Sequence, residues 1–147
     1  MSKTNSLFIF ASVFSVFILA LAIPSLYYAF DEENDSCQEG KRAGLTLSDW
    51  LKVTAFTDIG ILGVMWIAAI LAAAIGEDVG NGVMIGVCAC GAIAKFVLLV
   101  IGIVVVSTNE NNRCVSDGNP LGVMAIINLA LFWLSSVGSG GSSSASR

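Results

Sequence analysis

The sequence contains no histidine and few charged residues: 7 Lys and Arg with 11 Asp and Glu make up 12% of its 147 residues. Histidine is the side chain that most often serves as a general base, a proton shuttle or a metal ligand near neutral pH. Soluble domains carry about one quarter charged residues, so the composition argues against a water-soluble enzyme. A net charge of −4 also argues against the basic face that nucleic-acid binding needs.

Hydrophobic residues instead make up 56% of the chain, and they gather in four long runs. A helix needs about 20 apolar residues to cross about 30 Å of hydrocarbon. The runs of suitable length are residues 7–30, 50–75, 82–106 and 121–137. We therefore predict an all-α membrane protein with one domain over residues 1–137. Its expected fold is an antiparallel bundle of four transmembrane helices with short loops.

The two ends of the chain have their own signals. Lys3 before an apolar run and the Ala-Leu-Ala of residues 20–22 resemble a signal peptide with its cleavage site. The apolar run continues to Phe30, beyond a typical signal core, so we predict that the first helix is retained. Residues 138–147 are rich in Gly and Ser and are predicted to form a flexible tail without a function.

Single cysteines in two polar loops predict the topology. Cys37 lies between the first two spans and Cys114 between the last two, so both loops face the same side of the membrane. A Cys37–Cys114 disulfide would need an oxidising compartment, which predicts extracellular or lumenal loops and cytoplasmic N- and C-termini. Asn34 begins an Asn-Asp-Ser sequon, which makes it a candidate for glycosylation on the same side.

The distribution of positive charges favours the opposite orientation. Cytoplasmic loops usually carry the excess of Lys and Arg. Here the predicted outer side carries more of them: Lys41, Arg42, Lys52 and Arg113, against Lys3 and Arg147 on the inner side. We give more weight to the paired cysteines because these counts are small.

Two charged residues lie deep within the predicted spans, Asp58 in the second and Lys95 in the third. Each charge near the centre of a span costs about 2.5–3.5 kcal/mol on insertion scales. Counted along the helices at about 1.5 Å per residue, their depths differ by about 5 Å, which predicts an ion pair. Asn128 reaches a similar depth in the fourth span and would complete an intramembrane polar cluster.

Two interpretations of this cluster stay open. A satisfied ion pair with an amide would hold three helices in register, and we prefer this structural role. The alternative is a polar step in an ion or small-solute pathway. Because four helices enclose too narrow a space for a pore, the alternative needs several copies around a shared axis.

Small residues four apart predict where the helices pack, because membrane helices approach closely where side chains are small. The second span has Ala68, Ala72 and Gly76 on one face, and the third begins with Gly82 and Gly86. We predict that these two stripes form a tight antiparallel helix pair joined by a six-residue turn over residues 76–81. Use of the stripes in an oligomer is the alternative.

The other two cysteines, Cys88 and Cys90, lie within the third span. Cysteine packs as a small apolar residue, an interpretation that we prefer over S-acylation. Trp50 at the start of the second span fits an aromatic belt at the membrane interface, with packing as the alternative. The acidic run of residues 31–35 lacks the spacing of an EF-hand, and neither a metal nor a cofactor is predicted.

The layout resembles that of the uncharacterised four-span transmembrane protein 272-like group. The similarity rests on Tyr27 and Tyr28 followed by Cys37, on Cys114 after the third span, and on the Leu-Phe-Trp-Leu of residues 131–134. It covers the general layout of the chain without a strict motif. Since this group has no established activity, the resemblance implies architecture alone.

The sequence thus predicts a non-enzymatic integral membrane protein that acts as a structural or assembly subunit of a membrane complex. Its partners would be the lipid bilayer and other membrane subunits or copies of itself. The alternative is a homo-oligomeric channel subunit for ions or small solutes, with the polar cluster or the acidic run facing a shared pathway. An enzyme is a distant third, because the sequence offers no constellation of nucleophile and base.

Overall fold

The computed structural model describes residues 3–30 and 45–138, and these two segments are almost entirely helical. The helices within them are α1 (Lys3–Phe30), α2 (Leu47–Ala74), α3 (Glu77–Val106), α4 (Asn109–Ser116) and α5 (Pro120–Gly138). Stretches of three helices are long and apolar enough to cross a bilayer: Phe8–Phe30, Leu47–Ala74 and Asp78–Val106. The predicted all-α, multi-pass membrane architecture is therefore confirmed in outline. The apolar part of α5, Pro120–Trp133, is shorter, and the fourth span stays a prediction.

The helix α2 begins one turn earlier than its apolar run, because a capping box fixes its start. The Thr46 side chain accepts a hydrogen bond from the Asp49 backbone N–H at 3.1 Å. The Asp49 carboxylate accepts one from the Thr46 backbone N–H at 3.3 Å. This reciprocal pair satisfies two backbone donors that the helix itself leaves free, so the polar residues before Trp50 belong to the helix.

The connection between α2 and α3 is shorter than the sequence predicts. α3 begins at Glu77, and only Ile75 and Gly76 lie between the two helices. Gly76 has a φ of 145°, a conformation that residues with a Cβ rarely adopt. The acidic residues that follow it belong to the first turn of α3, where the helix dipole favours negative charge. The prediction of a six-residue turn was wrong for this reason.

The helix α2 lies at the centre of the fold. It packs along α1 on one side and α3 on the other, while α5 contacts α1, α2, α3 and α4. The short helix α4 covers one end of this arrangement, which we call the α4 end; the N-terminus of α1 and the α2–α3 turn lie at the opposite end. α4 lies in the segment that the sequence predicts to be a polar loop, and it is helical over Asn109–Ser116.

A hydrophobic cluster fills the interior near the α4 end, with Trp50 at its centre. The Trp50 side chain is fully buried, and its indole N–H donates to the Leu98 carbonyl oxygen at 2.9 Å. Its ring lies where a Cβ on Gly102 would stand, so the glycine allows α3 to approach it. Trp50 is thus a core residue, and the packing alternative applies to it rather than the aromatic belt.

Candidate functional site

The two intramembrane charges form the ion pair that the sequence predicts. Lys95 Nζ on α3 contacts Asp58 Oδ1 on α2. Asp58 lies 11 residues after Leu47, and Lys95 lies 11 residues before Val106, so both are about 16 Å from the α4 end of their helices. The Asp58 side chain is 9% exposed and that of Lys95 is 23% exposed. The pair therefore neutralises itself inside one chain.

An aromatic ring adds to the environment of Lys95. The ammonium nitrogen lies 4.3 Å from the centre of the Phe132 ring on α5. A cation within about 6 Å of a ring face is attracted by the negative charge of that face. Phe132 therefore links α5 to the ion pair, a role that sequence reasoning did not assign to it.

Asn128 lies beside the ion pair but bonds elsewhere. Its Nδ2 donates to the Ser25 hydroxyl oxygen at 3.0 Å and to the Met124 carbonyl oxygen at 2.9 Å. The Ser25 hydroxyl in turn donates to the Leu21 carbonyl oxygen at 2.7 Å. Asn128 thus connects α5 to α1, and the predicted three-residue cluster is an ion pair with a neighbouring amide. Sequence reasoning missed Ser25, because a serine in a helix carries no signal of a distant partner.

A cavity of about 420 Å³ is lined by these polar groups and by apolar side chains. It lies among α1, α2, α3 and α5, and Asp58, Lys95 and Asn128 line one part of it. The rest of the lining is mostly apolar and includes five phenylalanines: Phe10, Phe14, Phe17, Phe96 and Phe132. Most of these rings are also exposed at the surface of the chain, so the cavity is a groove open toward lipid. We call it the phenylalanine groove.

The small residues divide between two faces. Ala68 and Ala72 on α2 are buried, and a Cβ on Gly80 of α3 would collide with Ala72. The close contact between α2 and α3 thus uses Gly80, which sequence reasoning missed. Gly82 and Gly86, by contrast, are exposed, and a Cβ on either would meet no atom within 4 Å.

The predicted seam was therefore wrong in its α3 half. Residues two positions apart in an α-helix are about 200° apart around its axis. Gly82 therefore points away from Ala72, the residue that Gly80 faces. Gly76 was also misplaced, because it lies in the turn rather than on the face of α2. Which face of α3 meets α2 could not be deduced from spacing alone.

The two cysteines of α3 are free and exposed. Cys88 lines the phenylalanine groove, whereas Cys90 continues the exposed row of Gly82 and Gly86 at a spacing of four residues. Cys88 lies 11 residues after Glu77, about 16 Å inside the helix. S-acylation is found on juxtamembrane cysteines, so this depth argues against S-acylation of Cys88.

Several predicted features lie outside the described residues: Asn34, Cys37, the acidic run 31–35 and most of the Gly/Ser tail. Cys114 is buried in α4 with 4% exposure, while the proposed disulfide to Cys37, the glycosylation site and the orientation stay predictions. Among the residues that the structure describes, no group of three or more Cys, Asp and Glu could hold a metal ion.

Comparison with known proteins adds no relative, since no family model, curated protein or solved structure matches the chain.

Proposed function

We propose that the chain is a non-enzymatic integral membrane protein that acts as an assembly subunit of a membrane complex, with α3 as its docking helix. The supporting observation is the exposed row of Gly82, Gly86 and Cys90, with open space around both glycines. In lipid, helices associate where small residues let two backbones approach. This row meets no neighbour within the described part of the chain, so it is available to another transmembrane helix.

The proposal takes α5 as a fourth span. Its 19 residues extend about 28 Å at about 1.5 Å per residue, close to the hydrocarbon thickness of about 30 Å. With four spans, both termini lie on the same side of the membrane and α4 lies on the other. The predicted Cys37–Cys114 disulfide makes the side of α4 extracellular or lumenal. A Cys37–Cys114 bridge would then fasten α4 to the loop after α1.

The pairing of Asp58 with Lys95 within one chain supports an assembly role over a channel. A channel built from several copies would place Asp58 and Lys95 on a face that the copies share. In the described structure, the two groups instead neutralise each other between α2 and α3. Their arrangement thus serves the fold of a single chain, which is the structural role preferred from the sequence.

The test is to fill the exposed row and measure the size of the complex. Gly82→Leu combined with Gly86→Leu should remove close helix approach without touching the interior. Gly60→Leu combined with Gly63→Leu is the matched control, because these glycines of α2 are also exposed with no atom within 4 Å. Native gels of mildly solubilised membranes would measure the complex.

We expect the α3 variant to fall to the mass of the isolated subunit while the α2 variant keeps the wild-type mass. Helicity measured by circular dichroism should equal that of the wild type in both. A folded α3 variant that still assembles like the wild type would disprove the proposal, as would a wild-type protein that is monomeric in its own membrane.

A further inference from the structure

The phenylalanine groove has the length and the polarity of a site for an amphiphile. On α3 its lining extends from Val87 to Leu99, about 18 Å along the helix axis. Lys95 and Asn128 lie toward the α4 end of this length, and apolar side chains line the remainder. Its volume of about 420 Å³ falls within the range of about 300–1,000 Å³ for small-molecule sites.

Two polar atoms in the groove, Asn128 Oδ1 and Lys95 Nζ, have unused hydrogen-bonding capacity. The Asn128 side chain uses Nδ2 for both of its hydrogen bonds, and no described residue donates to its Oδ1. Asn128 is 5% exposed and lines the groove. Lys95 has three N–H donors, and its contacts among the described residues are the Asp58 carboxylate and the Phe132 ring. Lys95 and Asn128 both line the groove, so its lining offers a hydrogen-bond donor and a hydrogen-bond acceptor.

The polar part of the groove, formed by Asp58, Lys95 and Asn128, carries no net charge, and this favours a ligand with a neutral head group. Because Asp58 already neutralises Lys95, an anionic head group would lie beside a carboxylate and a cationic one beside an ammonium group. A neutral hydroxyl meets neither penalty. It accepts a hydrogen bond from Lys95 and donates one to Asn128 Oδ1, which satisfies both groups in a medium without water.

We propose that the phenylalanine groove binds a neutral lipid with a single hydroxyl group, either a sterol or a long-chain alcohol. The hydroxyl lies between Lys95 and Asn128, and the apolar body lies along the phenylalanines toward the opposite end of the bundle. The ligand enters sideways from the bilayer, because the groove is open toward lipid. This site goes beyond the assembly role and does not use the exposed row of Gly82 and Gly86, so either proposal can fail without the other.

Photolabelling of the full chain in phosphatidylcholine nanodiscs tests the site. The probes are a long-chain alcohol, a sterol, a hydrocarbon and a fatty acid, each carrying a diazirine, with label positions mapped by mass spectrometry. We expect saturable labelling of the groove by one or both hydroxyl probes, and weaker labelling by the hydrocarbon and the fatty acid. Which hydroxyl probe labels more strongly identifies the apolar body.

Two variants test separately the polar part of the groove and its apolar lining. Asn128→Leu removes the acceptor and should lower labelling by the hydroxyl probe about fivefold, the value of one typical hydrogen bond, without changing hydrocarbon labelling. Ala92→Phe fills the groove, which Ala92 lines, and should abolish saturable labelling. Ala130→Phe is its control, because Ala130 is an exposed alanine of α5 outside the lining.

The two cysteines of α3 give a second measurement on the unmodified protein. A saturating hydroxyl lipid should slow alkylation of Cys88, which lines the groove, and leave alkylation of Cys90 unchanged. Equal labelling by hydrocarbon and alcohol, strongest labelling by the fatty acid, or equal effects on the two cysteines would each overturn the proposal.

Discussion

A carboxylate and an ammonium group inside a membrane bundle stabilise the fold only while both are present. Removing one partner of a buried pair leaves an uncompensated charge and costs about 3–5 kcal/mol. Replacing both by apolar residues of similar size is often neutral. The Asp58–Lys95 pair therefore makes the two residues dependent on each other rather than individually stabilising.

We expect Asp58→Leu and Lys95→Met each to lower the free energy of unfolding by about 3–5 kcal/mol. The double variant should lose much less than the sum, because no charge is then left unpaired. Denaturant titration in detergent micelles, followed by circular dichroism, would measure all three. Additive losses in the double variant would contradict an ion pair that neutralises itself inside one chain.

The same site shows the limits of counting residues along a helix. The depths of Asp58 and Lys95 followed from their positions, because a span has a fixed rise per residue. The partner of Asn128 did not, since Ser25 lies 103 residues away along the chain. The Ser25 hydroxyl donates a hydrogen bond within its own helix. Nothing in the sequence indicates that it also accepts one from another helix.

At the scale of helices, local chemistry decided where each one begins. Thr46 and Asp49 form the full capping box that begins α2. The start of α3 was misjudged because Asp78 and Asn81 were assigned to a turn. A hydropathy run excludes such polar residues, whereas a helix includes them wherever its first turn reaches the water.

We expect Thr46→Ala to lower the free energy of unfolding by about 1 kcal/mol, the usual value of a lost helix cap. Thr57→Ala is the matched control, because the Thr57 hydroxyl donates to the Val53 carbonyl oxygen of the same helix and caps no helix end. Hydrogen exchange should show faster opening of the first turn of α2 in Thr46→Ala alone. Equal effects of the two substitutions would show that the cap does not stabilise this helix.

At the scale of the whole molecule, α2 packs against α1, α3 and α5, and α5 forms one side of the phenylalanine groove. The extent to which α4 and the loop after α1 are tied together depends on the predicted Cys37–Cys114 bridge. Cys88 and Cys90 are free thiols. The number of reactive thiols per chain therefore shows whether Cys37 and Cys114 are oxidised to a disulfide.

We expect the denatured, unreduced protein to react with two maleimides per chain and the reduced protein with four, because the sequence has four cysteines. Mass spectrometry of protein taken from its native membrane would give both numbers. Cys88→Ala combined with Cys90→Ala should remove all reactivity before reduction. Four reactive thiols without reduction would exclude the bridge and weaken the predicted orientation.

The sequence by itself determined that the chain is helical, that it belongs in a membrane, and that Asp58 and Lys95 lie at depths similar enough to pair. These properties depend on composition and on the rise per residue, which are local. Only the tertiary structure decided which face of α3 meets α2, that Trp50 is buried, and that a groove lies beside the ion pair. In lipid, apolar side chains are favoured on every face of a helix, so hydropathy does not reveal how a helix is rotated. Close packing against neighbouring helices sets that rotation.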